Sequence, residues 1–160
     1  MAKHWSEDTA LLGAIAGNLY EALPLLPKRL VRLEAITREF DMPFSHVQIL
    51  CVLSEGPMTI GKLSAALGIA KPNITPLIDS LRQRGLIERC RSELDRRVVH
   101  VALLPEGNEV ADRIRQRIGE QVAAWPKGFS ASDIKRLNNA LAYLIETARY
   151  LAAAESSEEK

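Results

Sequence analysis

Residues 85–107 read GLIERCRSELDRRVVHVALLPEG. Two apolar runs, Leu86-Ile87-Glu88-Arg89-Cys90 and Val98-Val99-His100-Val101-Ala102-Leu103, flank a charged turn with Asp95, Arg96 and Arg97 at its tip. In the second run Val99, Val101 and Leu103 alternate with Val98, His100 and Ala102, the period of a strand with one buried face. The segment therefore reads as a basic β-hairpin. Directly upstream, residues 59–84 hold two short amphipathic helices separated by Gly68-Ile69-Ala70. Helix-turn-helix followed by a charged hairpin is the order of a winged helix, an architecture suited to gripping duplex DNA.

Within the helical pair, Thr59 is expected to cap a helix whose Ile60, Leu63 and Leu67 face inward, with Ser64 small enough to admit its neighbour. Gly68 supplies the sharp turn. The candidate recognition helix begins after Ala70 or Lys71, and Pro72 is tolerated in its first turn because the amide proton it lacks would have no intrahelical partner. Ile74, Leu77, Ile78 and Leu81 fall on one face; Asn73, Thr75, Pro76, Asp79, Ser80 and Gln83 occupy the opposite one and would look into a major groove. Pro76 either shapes the first turn or offers an apolar surface to a thymine methyl. On the wing, Asp95 lies two residues before Arg97, a spacing that lets a carboxylate orient a guanidinium, while Arg96 or Arg97 would enter the narrow minor groove. Arg82, Arg84, Arg89 and Arg91 read as phosphate contacts or solvated surface.

Charge distribution supports this reading although the net charge is only +1. Residues 1–58 carry a net −2, residues 59–104 a net +4 and residues 105–160 a net −1, so the positive charge sits in the winged-helix segment. Local basicity is what phosphate contact and counterion release require. A composition of 47% hydrophobic and 26% charged residues is that of an ordinary globular chain, and the scarcity of aromatics beside abundant Ala and Leu favours a mainly α architecture. The first residues, MAKHWSEDTALLG, lack a signal-peptide layout, and no apolar run approaches the ~18 residues of a membrane span, so a cytoplasmic protein without membrane contact is expected.

The flanks read as helices. Residues 8–23 form a first helix broken near Pro24 and Pro27; a second, with Leu23, Leu26, Leu30, Leu33 and Ile36 in one stripe, should run to about Phe40, where Asp41-Met42-Pro43 ends it. Ser45 and Gln48 match a capping box for the next helix, whose spacing places Cys51 in the core. After the wing, Val110, Ile114, Ile118, Val122 and Trp125 recur at helical spacing. Beyond Pro126-Lys127-Gly128, Ser130 and Asp133 open a last helix carrying Ile134, Leu137, Leu141, Leu144, Ala148 and Leu151. One small wing domain has little with which to cover both stripes. A homodimer would bury them and set two recognition helices about one duplex turn apart, matching a palindromic operator.

The run L-x-x-x-L-G-I-x-K-P-N-I-T-P-L-I-D-x-L-x-x-x-G-L-I-x-R, followed by D-R-R, a V-x-L strand and a helix opening with P-E-G, resembles the MarR (multiple antibiotic resistance regulator) family. The resemblance spans nearly the whole chain. It implies a winged helix-turn-helix domain at 41–104, dimerisation helices at 1–40 and 105–154, and a tail at 155–160. It also implies that Lys71, Asn73 and Thr75 lie at the DNA-facing start of the recognition helix, and that Asp95 and Arg97 belong to the wing signature. Expected DNA-binding residues are Lys71, Asn73, Thr75, Pro76, Ser80, Gln83, Arg84, Asp95, Arg96 and Arg97. Two departures are Ala70 where the family often has Ser, which removes a helix cap, and Pro105 where it usually has Thr. Such proteins commonly repress transcription and respond to a small lipophilic or phenolic effector at the junction of dimer helices and wing domain.

Other classes find less support. His4, His46 and His100 are scattered without metal-ligand spacing, and no nucleophile elbow or phosphate loop occurs, so neither a cofactor, a metal nor an enzymatic activity is expected. Oxidant sensing through Cys51 or Cys90 is one alternative. A winged helix that binds protein rather than DNA is another, and removing Arg96 and Arg97 separates it from a DNA reader.

Overall fold

A computed structural model describes residues 9–91, 98–125 and 128–158. In chain order its elements are helix α1 (Thr9–Leu25), a π-helical turn (Leu26–Leu30), α2 (Leu33–Glu39), α3 (Phe44–Leu53), strand β1 (Met58–Thr59), α4 (Ile60–Leu67), α5 (Lys71–Gln83), β2 (Ile87–Arg91), β3 (Val99–Leu103), α6 (Pro105–Ala123) and α7 (Ala131–Glu158). The architecture is mainly α with a small antiparallel sheet in the order β1-β3-β2, a winged helix-turn-helix flanked by helices. Arg89 pairs with Val101 and Met58 with Val101 across the two ladders, so β3 is central and β2 is an edge.

The hydrophobic core lies within the winged-helix unit. Ile49, Leu50, Leu63, Ile74, Ile78, Leu81, Val101 and Ile114 are fully buried, drawing α3, α4, α5, β3 and α6 onto one centre. This is the face periodicity assigned to the recognition helix. Thr59 caps α4 by accepting the Lys62 amide at 3.2 Å, and Gly68 ends that helix at φ 62°, a left-handed conformation glycine adopts without Cβ strain. The Ser64 hydroxyl donates to the Ile69 carbonyl at 2.5 Å, so it stitches the turn as well as leaving room. At the start of α7, Ser130 and Asp133 bond reciprocally: the Asp133 amide donates to Ser130 Oγ at 3.1 Å and the Ser130 amide to Asp133 Oδ2 at 3.1 Å. The Ser130 hydroxyl, which donates to Asp133 Oδ2 at 2.6 Å, and secondarily the Ser130 amide favour the carboxylate and hold the Asp133 carboxyl below its ordinary range.

Four expectations are corrected. The stripe from Leu23 to Ile36 does not form one helix: α1 continues through Pro24 to Leu25, a π turn follows, and Val31 is extended at φ −132° before α2 begins. Pro27 cannot donate to the helical ladder, which loosens the turn around it. Of that stripe only Ile36 is buried in the single chain, while Leu23 remains 69% exposed. Ser45 does not cap α3; Pro43 occupies that place with no side-chain bond, its carbonyl accepting the His46 amide at 3.0 Å. Cys51 is exposed rather than core, because the buried arc of α3 is centred on Ile49, Leu50 and Leu53 and a further turn of about 100° carries residue 51 beyond its edge. Finally, the helical stretch Thr9–Leu30 is long and apolar enough, by length and composition alone, to cross a membrane. Ala raises its mean hydropathy across Asn18 and Glu21, which interrupt the apolar run.

Polar ties join the N-terminal helices to α6. Arg117 donates from Nε to Glu39 at 2.7 Å and from a guanidinium terminus to Glu120 at 2.6 Å, and the Arg32 amide donates to Gln121 at 2.7 Å. The guanidinium beside Glu120 holds that carboxyl below its usual range.

Candidate nucleic-acid interface

The recognition helix α5 is anchored by Ile74, Ile78 and Leu81, each with no exposed surface. That burial fixes which side chains face out. At about 100° per residue, Pro72, Pro76, Asp79 and Gln83 run along the middle of the outward face, with Asn73 and Ser80 on one flank and Lys71, Thr75 and Arg82 on the other. Lys71, Asn73, Pro76 and Gln83 are exposed, whereas Thr75 and Ser80 are half-buried. The structure thus brings six of the expected contacts onto one helix.

Not all of them have free polar groups. Thr75 donates its hydroxyl to the Lys71 carbonyl at 3.0 Å, leaving its oxygen to accept and its methyl to project. Ala70 offers no cap at the N-terminus, as its side chain dictates. Arg84 is placed differently from the sequence reading. Its guanidinium reaches across 43 residues of sequence to the Asp41 carbonyl at 2.8 Å and the Phe40 carbonyl at 3.3 Å. These carbonyls lie just past the end of α2, at its C-cap and the residue after it, so Arg84 ties the foot of the recognition helix to the N-terminal segment. Asp95, Arg96 and Arg97 lie outside the described residues.

One contact was not legible from spacing alone. Arg89, on β2, forms an ion pair with Asp79 of α5 at 2.9 Å. Ten residues and a turn separate them, so no helical or strand period relates the two. Gly85, at φ 70°, reverses the chain and brings β2 back along α5.

His46 of α3 is buried, and neither ring nitrogen has a hydrogen-bond partner among the described residues. Burial, and secondarily the nearby Arg84 charge, hold its pKa below the ordinary imidazole value, so it is neutral at pH 7. Between α3, α4 and the C-terminal part of α7 runs an open groove of about 740 Å³, lined by Cys51, Met58, Ala65, Ala66, Ile145 and Ala148, with Lys62 and Arg149 among its polar residues. Cys51 presents surface at this groove. Packing around its sulfur nonetheless pushes the thiol pKa up against the pull of Arg115, which disfavours the reactive thiolate. Cys90 is half-buried, its sulfur 3.8 Å from the His100 carbonyl.

Comparison with known proteins places this geometry. The MarR family profile matches residues 40–98, the stretch from the end of α2 to the start of β3. The HTH-type transcriptional regulator YsmB of Bacillus subtilis, itself uncharacterized, is 35% identical over 79 residues, which are 49% of this chain and 54% of that protein. The matched region is thus about half the length of that relative. Among solved structures, reduced AbfR bound to DNA superposes with a TM-score of 0.56 at 22% identity, covering 89% of this chain and 99% of the other. NadR in complex with 4-hydroxyphenylacetate gives 0.58 at 22% identity, covering 91% and 96%. At those identities the likeness is one of fold, and it includes the flanking helices. The MarR family model matches the winged helix over residues 40–98, and the solved structures share the surrounding architecture, so the resemblance to that family rests on the winged-helix segment and on the fold.

Proposed function

We propose that this protein is a sequence-specific DNA-binding repressor that acts as a homodimer in the cytoplasm and performs no catalytic step. The observation that carries the reading is the outward face of α5, with Asn73, Pro76 and Gln83 presented beside a hairpin in the basic third of the chain. Lys71, Thr75 and Ser80 flank that face, and Arg96 or Arg97 is assigned to the adjacent minor groove, the sequence spacing letting Asp95 orient Arg97. Arg84 is reassigned from DNA contact to the support of α5. The fold shared with a DNA-bound protein supports the same reading.

Dimerisation is supported by the apolar surfaces left uncovered on one chain. Leu11, Ile15, Leu19 and Leu23 of α1 and Ile134, Leu144 and Leu151 of α7 are each more than 45% exposed. Contiguous apolar surface on this scale is stabilised by a partner, and a twofold axis through these helices would pair two copies of α5 on a palindromic operator. The groove between α4 and α7 suits a small lipophilic or phenolic effector, and the phenolic ligand of NadR supports that chemistry. Such a ligand acts by favouring a separation of the two α5 helices that no longer fits one DNA face. A noncovalent effector ranks ahead of oxidation because the Cys51 thiol is held protonated.

The test is selection of genomic fragments by the purified protein, followed by addition of phenolic acids or peroxide to the bound complex. Enrichment of a palindromic site, lost in an Arg96→Ala/Arg97→Ala variant together with part of the salt dependence, is the expected result. Absence of any enriched fragment at low salt refutes DNA recognition.

A further inference from the structure

A carboxylate stands in the middle of the surface assigned to DNA. Asp79 lies on the outward side of α5, on the same helical line as Pro76 and Gln83, and an acidic group there repels phosphate and matches only the amino groups of cytosine and adenine among major-groove base edges. Its charge is not left open. The Arg89 guanidinium sits 2.9 Å from Asp79 Oδ1, with the two side chains 29% and 45% exposed, respectively.

Arg89 is itself held in place. Its residue pairs with Val101 in the β2–β3 ladder, two positions before β2 ends at Arg91 and the chain enters the wing. The ion pair therefore joins the middle of the recognition helix to the root of the wing. We infer, resting on the DNA-binding reading above, that Arg89 is a positioning residue rather than a phosphate contact: it masks the Asp79 carboxylate and sets the wing against α5. Two consequences follow from charge alone. Removing Arg89 uncovers a negative group that faces the duplex. Removing Asp79 as well abolishes the repulsion that Arg89 was masking, so the second substitution repairs the first.

A phosphate contact answers differently to the second substitution. Losing it weakens binding and lowers the slope of log affinity against log salt by about one, and neutralising Asp79 does not restore the lost contact. The experiment measures the affinity of the full chain for a fragment it has selected, over a range of salt, for the parent, Arg89→Gln, Asp79→Asn and the double variant. Thermal unfolding of each is followed to confirm that the fold is kept. The expected result is about tenfold weaker binding at low salt for Arg89→Gln, a deficit that shrinks as salt screens the uncovered carboxylate from phosphate. Binding within about threefold of the parent is expected for the double variant. A slope reduced by one without rescue overturns the inference while leaving DNA recognition intact. Loss of sequence selectivity in Asp79→Asn alone also overturns it, since the carboxylate would then read a base. If the parent selects no fragment, the DNA reading itself has failed and this inference falls with it.

Discussion

Gly107→Ala is a demanding test of how α6 is seated, because the same substitution at Gly119 in the same helix is expected to act in the opposite direction. Gly107 is buried in the first turn of α6, and a Cβ there would lie 1.9 Å from the Leu86 carbonyl oxygen and 2.9 Å from its carbon. Ordinary contact begins near 3.4 Å, so the start of α6 and the turn before β2 must part by roughly 1.5 Å. That carbonyl also accepts the Leu104 amide at 3.0 Å, which separation would stretch. Overpacking of this kind costs about 1–3 kcal/mol and a weakened backbone bond about 1 kcal/mol, offset by about 1 kcal/mol of helix propensity for Ala over Gly. The net loss is about 2 kcal/mol, a fall in Tm of about 4–8 °C for a chain of this size. At Gly119 a Cβ meets nothing within 4 Å. There the propensity term stands alone, and a gain of up to about 1 kcal/mol is expected. Urea and thermal unfolding at matched protein concentration measure both. A Gly107→Ala protein as stable as its parent would refute the close approach of α6 to Leu86.

Three further outcomes are expected. Because folded His46 binds its proton only below the ordinary value of 6.5 while the unfolded chain binds it near that value, stability falls as pH drops below about 6.5. Urea titrations at pH 7.5 and 5.5 should show this limb weakened in His46→Leu, and an unchanged limb argues against a neutral buried imidazole. Thr59→Ala removes the cap on α4 and should cost about 1 kcal/mol, read as a lower urea midpoint with the same m-value; no shift means the Lys62 amide is equally well served by water. Leu144→Glu places a charge on a surface 53% exposed in one chain and expected to be covered in a pair. Pairing should weaken by about a hundredfold, on the order of 3 kcal/mol, in sedimentation equilibrium, and an unaffected association constant places the interface elsewhere.

The oxidant-sensing alternative meets a physical obstacle in the structure. A sensor thiol needs thiolate character, and Cys51 is shifted toward the thiol by the packing of α3 against its neighbours. The groove it lines is apolar for the most part, which suits a lipophilic ligand held without a bond to sulfur.

Amino-acid order alone determined whatever depends on neighbours within a few residues. The recognition helix from Lys71 to Gln83, its buried Ile74, Ile78 and Leu81, the Thr59 cap, the left-handed Gly68 and the Ser130–Asp133 cap all follow from helical period and capping chemistry. The strand β3 follows equally from its period of two, although of its expected inward face Val101 is buried while Val99 is exposed. Tertiary structure decided everything that joins distant segments. Arg84 and Arg89 both read as phosphate contacts or solvated surface, and only the folded chain brings the Asp41 and Phe40 carbonyls to Arg84 and Asp79 to Arg89. Likewise the rotation of α3, set by what packs on either side, turned Cys51 out and His46 in. A charged side chain reaches several ångströms in many directions, so its partner is chosen by where the backbone brings opposite charge or open carbonyls, and no local period encodes that choice.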